Sequence, residues 1–449
     1  MSEKLQAAAT PPVERSTVWR AAGAGFVGSL VEWYDYYIYG TAAALVFSKL
    51  FFTNADPTTG LIASFATFGV GFLARPLGGI VAGHFGDKVG RKRVLVITLM
   101  IMGLSTVGIG LLPGYEQIGI WAPILLVVLR LLQGFAVGGE WGGAAVMVVE
   151  YAPLKHRGFF GGLPQAGNVG GLLLATGVFA VVSLLPADQF EAWGWRVPFL
   201  LSFVLIFVGL YIRARIVETP AFRQIQDDSE EVQKLPVAAA FRGYWRTILL
   251  ATGAAATLFS ASYVAITYVI SYATTQAGLP AASVLSGVAL AAAVAFIAWP
   301  AAAALSDRVG RKPVMLTGAL LILLLAFPFF WLVDTGSLGL TWIAIVLLYG
   351  IAVGMIAGVL PAFFSELFDT SVRFTGVSIA YQVPAVLIGG FTPVIATWLV
   401  SVNDGNPWAV SVFLVAISTL SLLCIALVRE PRGADLDRVE TDAARRARR

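Results

Sequence analysis

Apolar residues fill this chain in long, nearly unbroken runs, and polar residues collect between them. At ~20 apolar residues per bilayer crossing, the runs predict twelve helices. Their extents are about 18–51, 60–83, 94–112, 121–150, 158–186, 195–215, 245–275, 282–305, 314–333, 339–365, 375–401 and 407–428. Several are longer than a hydrocarbon core requires and are expected to tilt or protrude. The connectors are short except for the polar stretch 216–244, which contains "QDDSEEVQK". That stretch divides a bundle over residues 18–215 from a second over 245–428, with tails at 1–17 and 429–449. The opening "MSEKLQAAATPPVERST" has no apolar core of the kind a cleaved signal carries, so it reads as a cytosolic tail.

Composition agrees with the pattern. With 58% hydrophobic and 12% charged residues and a mean hydropathy of +0.82, the chain has too little polar surface for water. It is expected to be an all-α polytopic membrane protein. The net charge of +4 does not point to nucleic acid, because the basic residues sit between apolar runs and act as topology signals. All lysines and arginines except Lys49, Arg75, Arg130 and Arg196 fall on one side of the predicted helices. The other side carries Asp56, Glu116, Asp188, Glu191, Asp334 and Asp404. Both termini are therefore expected in the cytoplasm of a cell whose inner membrane holds the protein. The single Cys424 rules out a disulfide frame or a cysteine metal cluster. Two separated histidines, His84 and His156, read as structural or solvated. No metal or cofactor is implied.

The chain repeats itself. Asp87, Gly90, Arg91 and Lys92 of "GHFGDKVGRKRV" recur as Asp307, Gly310, Arg311 and Lys312 of "LSDRVGRKPV", a shift of 220. Gly134, Gly138, Gly142, Glu150 and Arg157 recur as Gly350, Gly354, Gly358, Glu366 and Arg373, a shift of 216. Two such shifts in order imply duplicated, parallel halves of six helices related by an axis along the membrane normal. The charged turns then join helices 2–3 and 8–9 on the cytoplasmic side. Topology needs only Lys and Arg, yet both turns keep an aspartate. Asp87, Gly90, Arg91 and Lys92 with Glu150 and Arg157, and Asp307, Gly310, Arg311 and Lys312 with Glu366 and Arg373, are expected to form two mirrored gate clusters. The GxxxGxxxG faces read as close helix packing.

Those turns resemble the G-x-x-x-D-x-x-G-R-[KR] signature of the major facilitator superfamily, present in both halves. More narrowly, "VEWYDYYIYG", "FATFGVGFLARPLGGIVAGHFGDKVGRKRV", "RLLQGFAVGGEWGGAA" and "WGWRVPFL" resemble the metabolite:proton symporter family, whose members include shikimate, alpha-ketoglutarate, citrate and proline/betaine permeases. The resemblance covers nearly the whole chain and is strongest from 31 to 200, where it is closest to shikimate-type permeases. It implies proton-driven uptake of a small organic acid or zwitterion by alternating access, with the proton and the bilayer as partners. A functional monomer, free of nucleic acid, is expected.

Charge inside a bilayer is costly and is usually retained for function. Glu32, Asp35, Arg75, Arg130 and Glu140 all fall within predicted spans of the first half, and helices 7–12 carry none away from their ends. Proton handling is therefore expected in the first half, with the second shaping the pocket. In helix 1, Gly28, Glu32, Asp35 and Tyr39 share roughly a 60° arc that is expected to face the interior. Arg130, Gln133 and Glu140 share a face of helix 4. Asp35 is the first candidate for proton carrier and Arg130 for its counter-charge and for substrate capture; Glu32 and Glu140 are alternatives, and Glu140 reads equally as a helix brace. Arg75 either binds a substrate carboxylate or reaches toward the headgroups, the second being favoured. Tyr34, Gln165, Asn168, Tyr263, Tyr268, Tyr381 and Gln382 are candidate substrate contacts, with interfacial tyrosine belts as the competing reading. "PQAGNVGG" departs from the G-P-x-x-G-G pattern of many drug antiporters, which favours symport.

A proton-independent uniporter or antiporter is the nearest alternative. A membrane-embedded enzyme lacks a catalytic constellation here, ATP-driven transport lacks a phosphate loop, and a channel or sensor leaves the duplicated turns unexplained.

Overall fold

The computed structural model describes residues 15–89, 91–138, 146, 148–215, 236–369 and 372–434. Within these, the side chains at 15–17, 20, 21, 24, 80, 82–89, 91–93, 95, 212–215 and 236–242 are not described. The protein is helical, with no strand among the described residues.

The first half contributes α1 (Arg15–Leu45), α2 (Pro57–Val89), α3 (Arg91–Leu111), α4 (Trp121–Val137), α5 (Arg157–Val182) and α6 (Arg196–Arg215). The second begins with α7 (Pro236–Tyr263), which runs on through a π turn at Val264–Tyr268 to Val269–Thr275. Next come α8 (Ala281–Val309), α9 (Arg311–Asp334) and α10 (Leu338–Ile345), the last extended by a π segment at Val346–Val353 and by Gly354–Ala357 and Leu360–Leu367. α11 (Arg373–Pro384) is continued by the π turn Ala385–Gly389 and by Thr392–Ser401, and α12 (Trp408–Leu427) closes the bundle. Among the described residues nine helical stretches are long and apolar enough to cross a membrane, and Val96–Leu111 and Trp121–Val137 are shorter apolar helices. With α1, which carries Glu32 and Asp35, they form two six-helix bundles.

The outer surface is what a membrane requires. Ile297, Leu324, Leu387 and Leu427 are each more than half exposed, an arrangement water would penalise and lipid does not. Exposed Trp121, Trp331, Trp398 and Trp408 stand at helix ends away from the Gly-Arg-Lys turns, and Trp19 and Trp245 toward the turn end, as in an interfacial belt.

Helices run further than hydropathy predicts. α2 continues to Val89, α9 starts at Arg311, and α7 starts at Pro236, inside the stretch expected to be loop. Apolarity ends where the bilayer ends, whereas backbone hydrogen bonding continues through the charged residues beyond it. In the other direction, the first predicted span breaks at Val46, after which Phe47–Phe51 forms a separate short helix. At the end of α2 away from the turns, Asp56 accepts from the Thr58 and Thr59 amides at 3.1 Å. Bonds from the Thr59 side chain and backbone hold its carboxyl below the usual carboxylate range.

The duplication is visible in packing. A Cβ on Gly134 of α4 would lie 1.8 Å from the Gly71 carbonyl oxygen of α2, and one on Gly350 would lie 3.3 Å from the Ala291 carbonyl oxygen of α8. Gly71 and Ala291 are 220 apart and Gly134 and Gly350 are 216 apart, so these are the same contact in two copies. Gly138 repeats it against the Gly79 amide, and Gly354 against Trp299, the residue equivalent to Gly79. Small residues here let α2 and α4 approach backbone to backbone. The halves meet along two seams, α5 against α8 and α2 against α11.

Candidate functional site

Residues 31–44 of α1 are buried without a break, because the helix is enclosed on all sides. The expected polar arc therefore does not face one cavity. Successive residues serve different neighbours, and two polar centres result.

The first lies inside the first half. Asp35 is 2% exposed. Its Oδ1 accepts from Ser202 of α6 at 2.6 Å and its Oδ2 from Thr106 of α3 at 2.9 Å. Arg130, fully buried on α4, is not in contact with it. Arg130 Nη1 donates to Gln133 Oε1 at 3.0 Å, and Gln133 Nε2 donates to Thr106 Oγ1 at 2.6 Å. The expected acid–base couple thus exists as a relay, Arg130–Gln133–Thr106–Asp35, rather than as a direct pair. The Arg130 guanidinium carbon also stands 4.0 Å from the Tyr36 ring centroid and 4.1 Å from that of Tyr39, which compensates part of its desolvation.

The second centre lies between the halves. Arg75 is 2% exposed and does not reach toward headgroups, the reading favoured from sequence. Its guanidinium carbon lies 4.3 Å from the Tyr36 centroid, 4.5 Å from Phe72 and 5.7 Å from Trp33. No carboxylate of the described residues forms an ion pair with it, and its Nε has no hydrogen-bond partner. Glu32, Tyr263 and Tyr381 are close enough to couple to it electrostatically. Tyr36 therefore stacks against both buried cations. Trp33, which faces Arg75 on one side, also walls a small chamber of about 30 Å³ with Tyr37, Tyr263, Trp299, Tyr349 and Tyr381.

The candidates divide accordingly. Gln165 and Asn168 line the chamber; Asn168 accepts from the Tyr37 hydroxyl at 2.7 Å, and Gln165 donates across the halves to the Ala357 carbonyl at 3.1 Å. Tyr263 and Tyr381 line its other wall. Gln382 instead donates to the Gly138 carbonyl at 3.4 Å. Tyr34 is spent within the first half, donating to the Pro198 carbonyl at 2.7 Å, and Tyr268 packs against Tyr272 and Phe330; neither lines the chamber. Glu140 lies outside the described residues. Thr106, Ser202, Tyr36, Trp33, Tyr37, Tyr349 and Trp299 were not singled out from sequence. The run "EWYDYY" marks three of them by density of aromatic residues; the lone hydroxyls carry no signal.

At the turn end, Arg311 donates to Asp307 at 2.7 Å and to Glu366 at 2.9 Å. Asp307 also accepts the Gly158 and Phe159 amides at 2.8 and 3.0 Å, a carboxylate seated on the N-terminus of α5 in the other half. Arg373 pairs with Glu150 at 2.6 Å. The second-half cluster therefore pairs Arg311 with Asp307 and Glu366 within its own half, while Arg373 crosses to Glu150 of the other half. Gly310, at φ +108°, makes the turn that a side chain would strain, and Glu430 caps α9 by accepting the Arg311 and Lys312 amides at 2.9 Å. Arg157 donates to the Ala434 carbonyl at 2.7 Å. Gly90 and the side chains of Asp87, Arg91 and Lys92 lie outside the described residues.

A family model for the Major Facilitator Superfamily matches residues 25–389. The chain belongs to the Major Facilitator Superfamily. Its relatives include the shikimate transporter of Escherichia coli (strain K12), 42% identical over 92% of this chain and 95% of that protein. The proline/betaine transporter of the same strain is 36% identical over 93% of this chain and 84% of that protein. Among solved structures, the xylose transporter XylE from E. coli in a partially occluded inward-open conformation covers 92% of this chain and 98% of its own, at TM-score 0.71 and 18% identity, a likeness of fold. This superfamily member is a multi-pass membrane transporter rather than an enzyme.

Proposed function

We propose that this transporter is a proton-coupled symporter that imports a small hydroxylated carboxylate, shikimate-like in size and charge. It works as a monomer in a bacterial inner membrane, with both termini in the cytoplasm, by alternating access to the chamber between its halves. The observation that carries this reading is Arg75, a buried cation stacked on three aromatic rings without an ion-paired carboxylate among the described residues. A fixed guanidinium in that position is suited to a carboxylate on the cargo. Around it, Trp33 Nε1, the Tyr36 hydroxyl and Arg75 Nε have no protein hydrogen-bond partner, so the site offers donors to a cargo rich in oxygen acceptors.

Asp35 carries the proton. It is buried and meets hydroxyl donors rather than a cation, so both of its protonation states are chemically served. Arg75 and Arg130 crowd one ring, that of Tyr36. An anion arriving at Arg75 lowers the positive potential between them and favours proton binding at Asp35, so cargo and proton load together.

The aromatic walls support a second reading, a zwitterion whose carboxylate meets Arg75 and whose quaternary ammonium stacks on Tyr263, Trp299 or Tyr381. Uptake into proteoliposomes under an imposed pH gradient, with shikimate and glycine betaine as competing cargoes, separates the two. Symport requires that Asp35→Asn abolish gradient-driven accumulation while cargo exchange continues. Accumulation unchanged in Asp35→Asn overturns it.

A further inference from the structure

Thr106 stands at a branch point. Its Oγ1 lies 2.9 Å from Asp35 Oδ2 and 2.9 Å from the Met102 carbonyl oxygen one turn back on α3. Both are acceptors when Asp35 is ionised, and a hydroxyl has one hydrogen to give. The third neighbour fixes the remaining geometry. A guanidinium only donates, so the Gln133 oxygen must face Arg130, and the Gln133 amide NH₂ must face Thr106. Thr106 is therefore always an acceptor toward Gln133, and its single hydrogen chooses between Asp35 and Met102.

That choice depends on the state of Asp35. An ionised carboxylate takes the Thr106 hydrogen. A protonated one, with its new O–H bond at Oδ2, needs an acceptor there. Thr106 supplies it by rotating its hydrogen onto the Met102 carbonyl; the bond to Asp35 reverses direction and the one accepted from Gln133 is kept. Ser202, the other hydroxyl on Asp35, has no second acceptor among the described residues and lacks this freedom. The groups acting on Asp35 electrostatically are Arg130 from α4 and Tyr34 on its own helix, while α3 and α6 present Thr106 and Ser202. Arg130 reaches Asp35 through the amide that Thr106 accepts.

We propose that Thr106 is the positioning residue for the proton step: its hydroxyl rotates between Asp35 and the Met102 carbonyl, so that a sealed site can hold Asp35 in either protonation state with both carboxyl oxygens served. The proposal rests on the reading of Asp35 as proton carrier. A donor that could not rotate would stabilise the ionised state alone and leave the protonated state with a clash of two hydrogens.

The test compares variants of the full-length protein in proteoliposomes, with shikimate as probe cargo, measuring gradient-driven accumulation and gradient-free exchange. Thr106→Val keeps the shape and removes the hydroxyl. It is expected to lower accumulation at least about tenfold while exchange falls less than about threefold. Thr106→Ser restores accumulation, as a structural role for the methyl group would not. Ser202→Ala also removes one donor from Asp35, yet is expected to lower accumulation by no more than about threefold. If Thr106→Val does not insert, Thr106→Cys, with a weak donor of similar size, is expected to show the same separation. Equal losses in Thr106→Val and Ser202→Ala, or accumulation retained in Thr106→Val, overturn the proposal while leaving Asp35 in place. Accumulation retained in Asp35→Asn overturns both.

Discussion

Arg373, at the start of α11, reaches across the boundary between the halves to Glu150, Nη1 to Oε1 at 2.6 Å. Glu150 keeps 43% of its side chain exposed, so solvent screens the pair and it is worth at most about 1 kcal/mol. Glu150→Gln should loosen the turn end by about two- to fivefold, read as the alkylation rate of a cysteine placed at buried Ala303 in a Cys424→Ser background. Exchanging the two charges should restore the wild-type rate; failure of that rescue, with both proteins inserted, assigns the pair no closing role.

Asp307 should matter more. Its side chain is 6% exposed, and it serves Arg311 together with the Gly158 and Phe159 amides from the other half. Asp307→Asn keeps the shape but removes charge from a helix N-terminus, and should speed the same alkylation by about tenfold or more. A rate no higher than that of Glu150→Gln contradicts this ranking.

Arg75 is expected to act on binding. Lysine retains the charge but loses the planar fork and the stacking on Tyr36 and Phe72. Arg75→Lys should raise the KM for shikimate about tenfold or more with accumulation still proton-dependent, and Arg75→Met should abolish saturable uptake. An unchanged KM in Arg75→Lys removes Arg75 from the cargo site.

The duplicated helix contact is not equally tight in its two copies. Gly134→Ala drives a methyl group to 1.8 Å from the Gly71 oxygen and should cost about 2–3 kcal/mol. Gly350→Ala, with 3.3 Å available, should cost less than about 1 kcal/mol. Thermal unfolding of the purified variants in one detergent orders them, and a reversed order excludes the packing explanation.

The fold was legible because lipid imposes a single rule along the whole chain: apolar runs mark spans and basic turns mark their ends. The same rule hid the helix ends, since Arg311 begins α9 where hydropathy places a loop. It also located the buried charges of the first half. How those charges connect was not legible. Gln133 was visible only as a helix neighbour of Arg130, and Thr106 and Ser202 are ordinary residues in apolar helices until α3, α4 and α6 bring them around Asp35. Tyr36 was one aromatic residue among several; its contact with both cations follows from α1 being enclosed on every side. The second gate cluster brings Asp307, Arg311 and Glu366 together, but the crossing of Arg373 to Glu150 was not legible, because carboxylates and arginines one helix end apart can pair along a half or across the boundary, and spacing along the chain does not decide which.

Trp299 occupies the position at which the first half has Gly79, so the two copies of the repeat differ in bulk at this helix contact. Among the described residues, the charges buried away from helix ends lie in the first half, whereas the second half lines the chamber with Tyr263, Trp299, Tyr349 and Tyr381. Cargo preference can then drift through exchange of single rings on α7, α8, α10 or α11, leaving the ionisable apparatus of the sister bundle untouched. Homologous carriers with unlike cargoes should differ most on that side of the molecule.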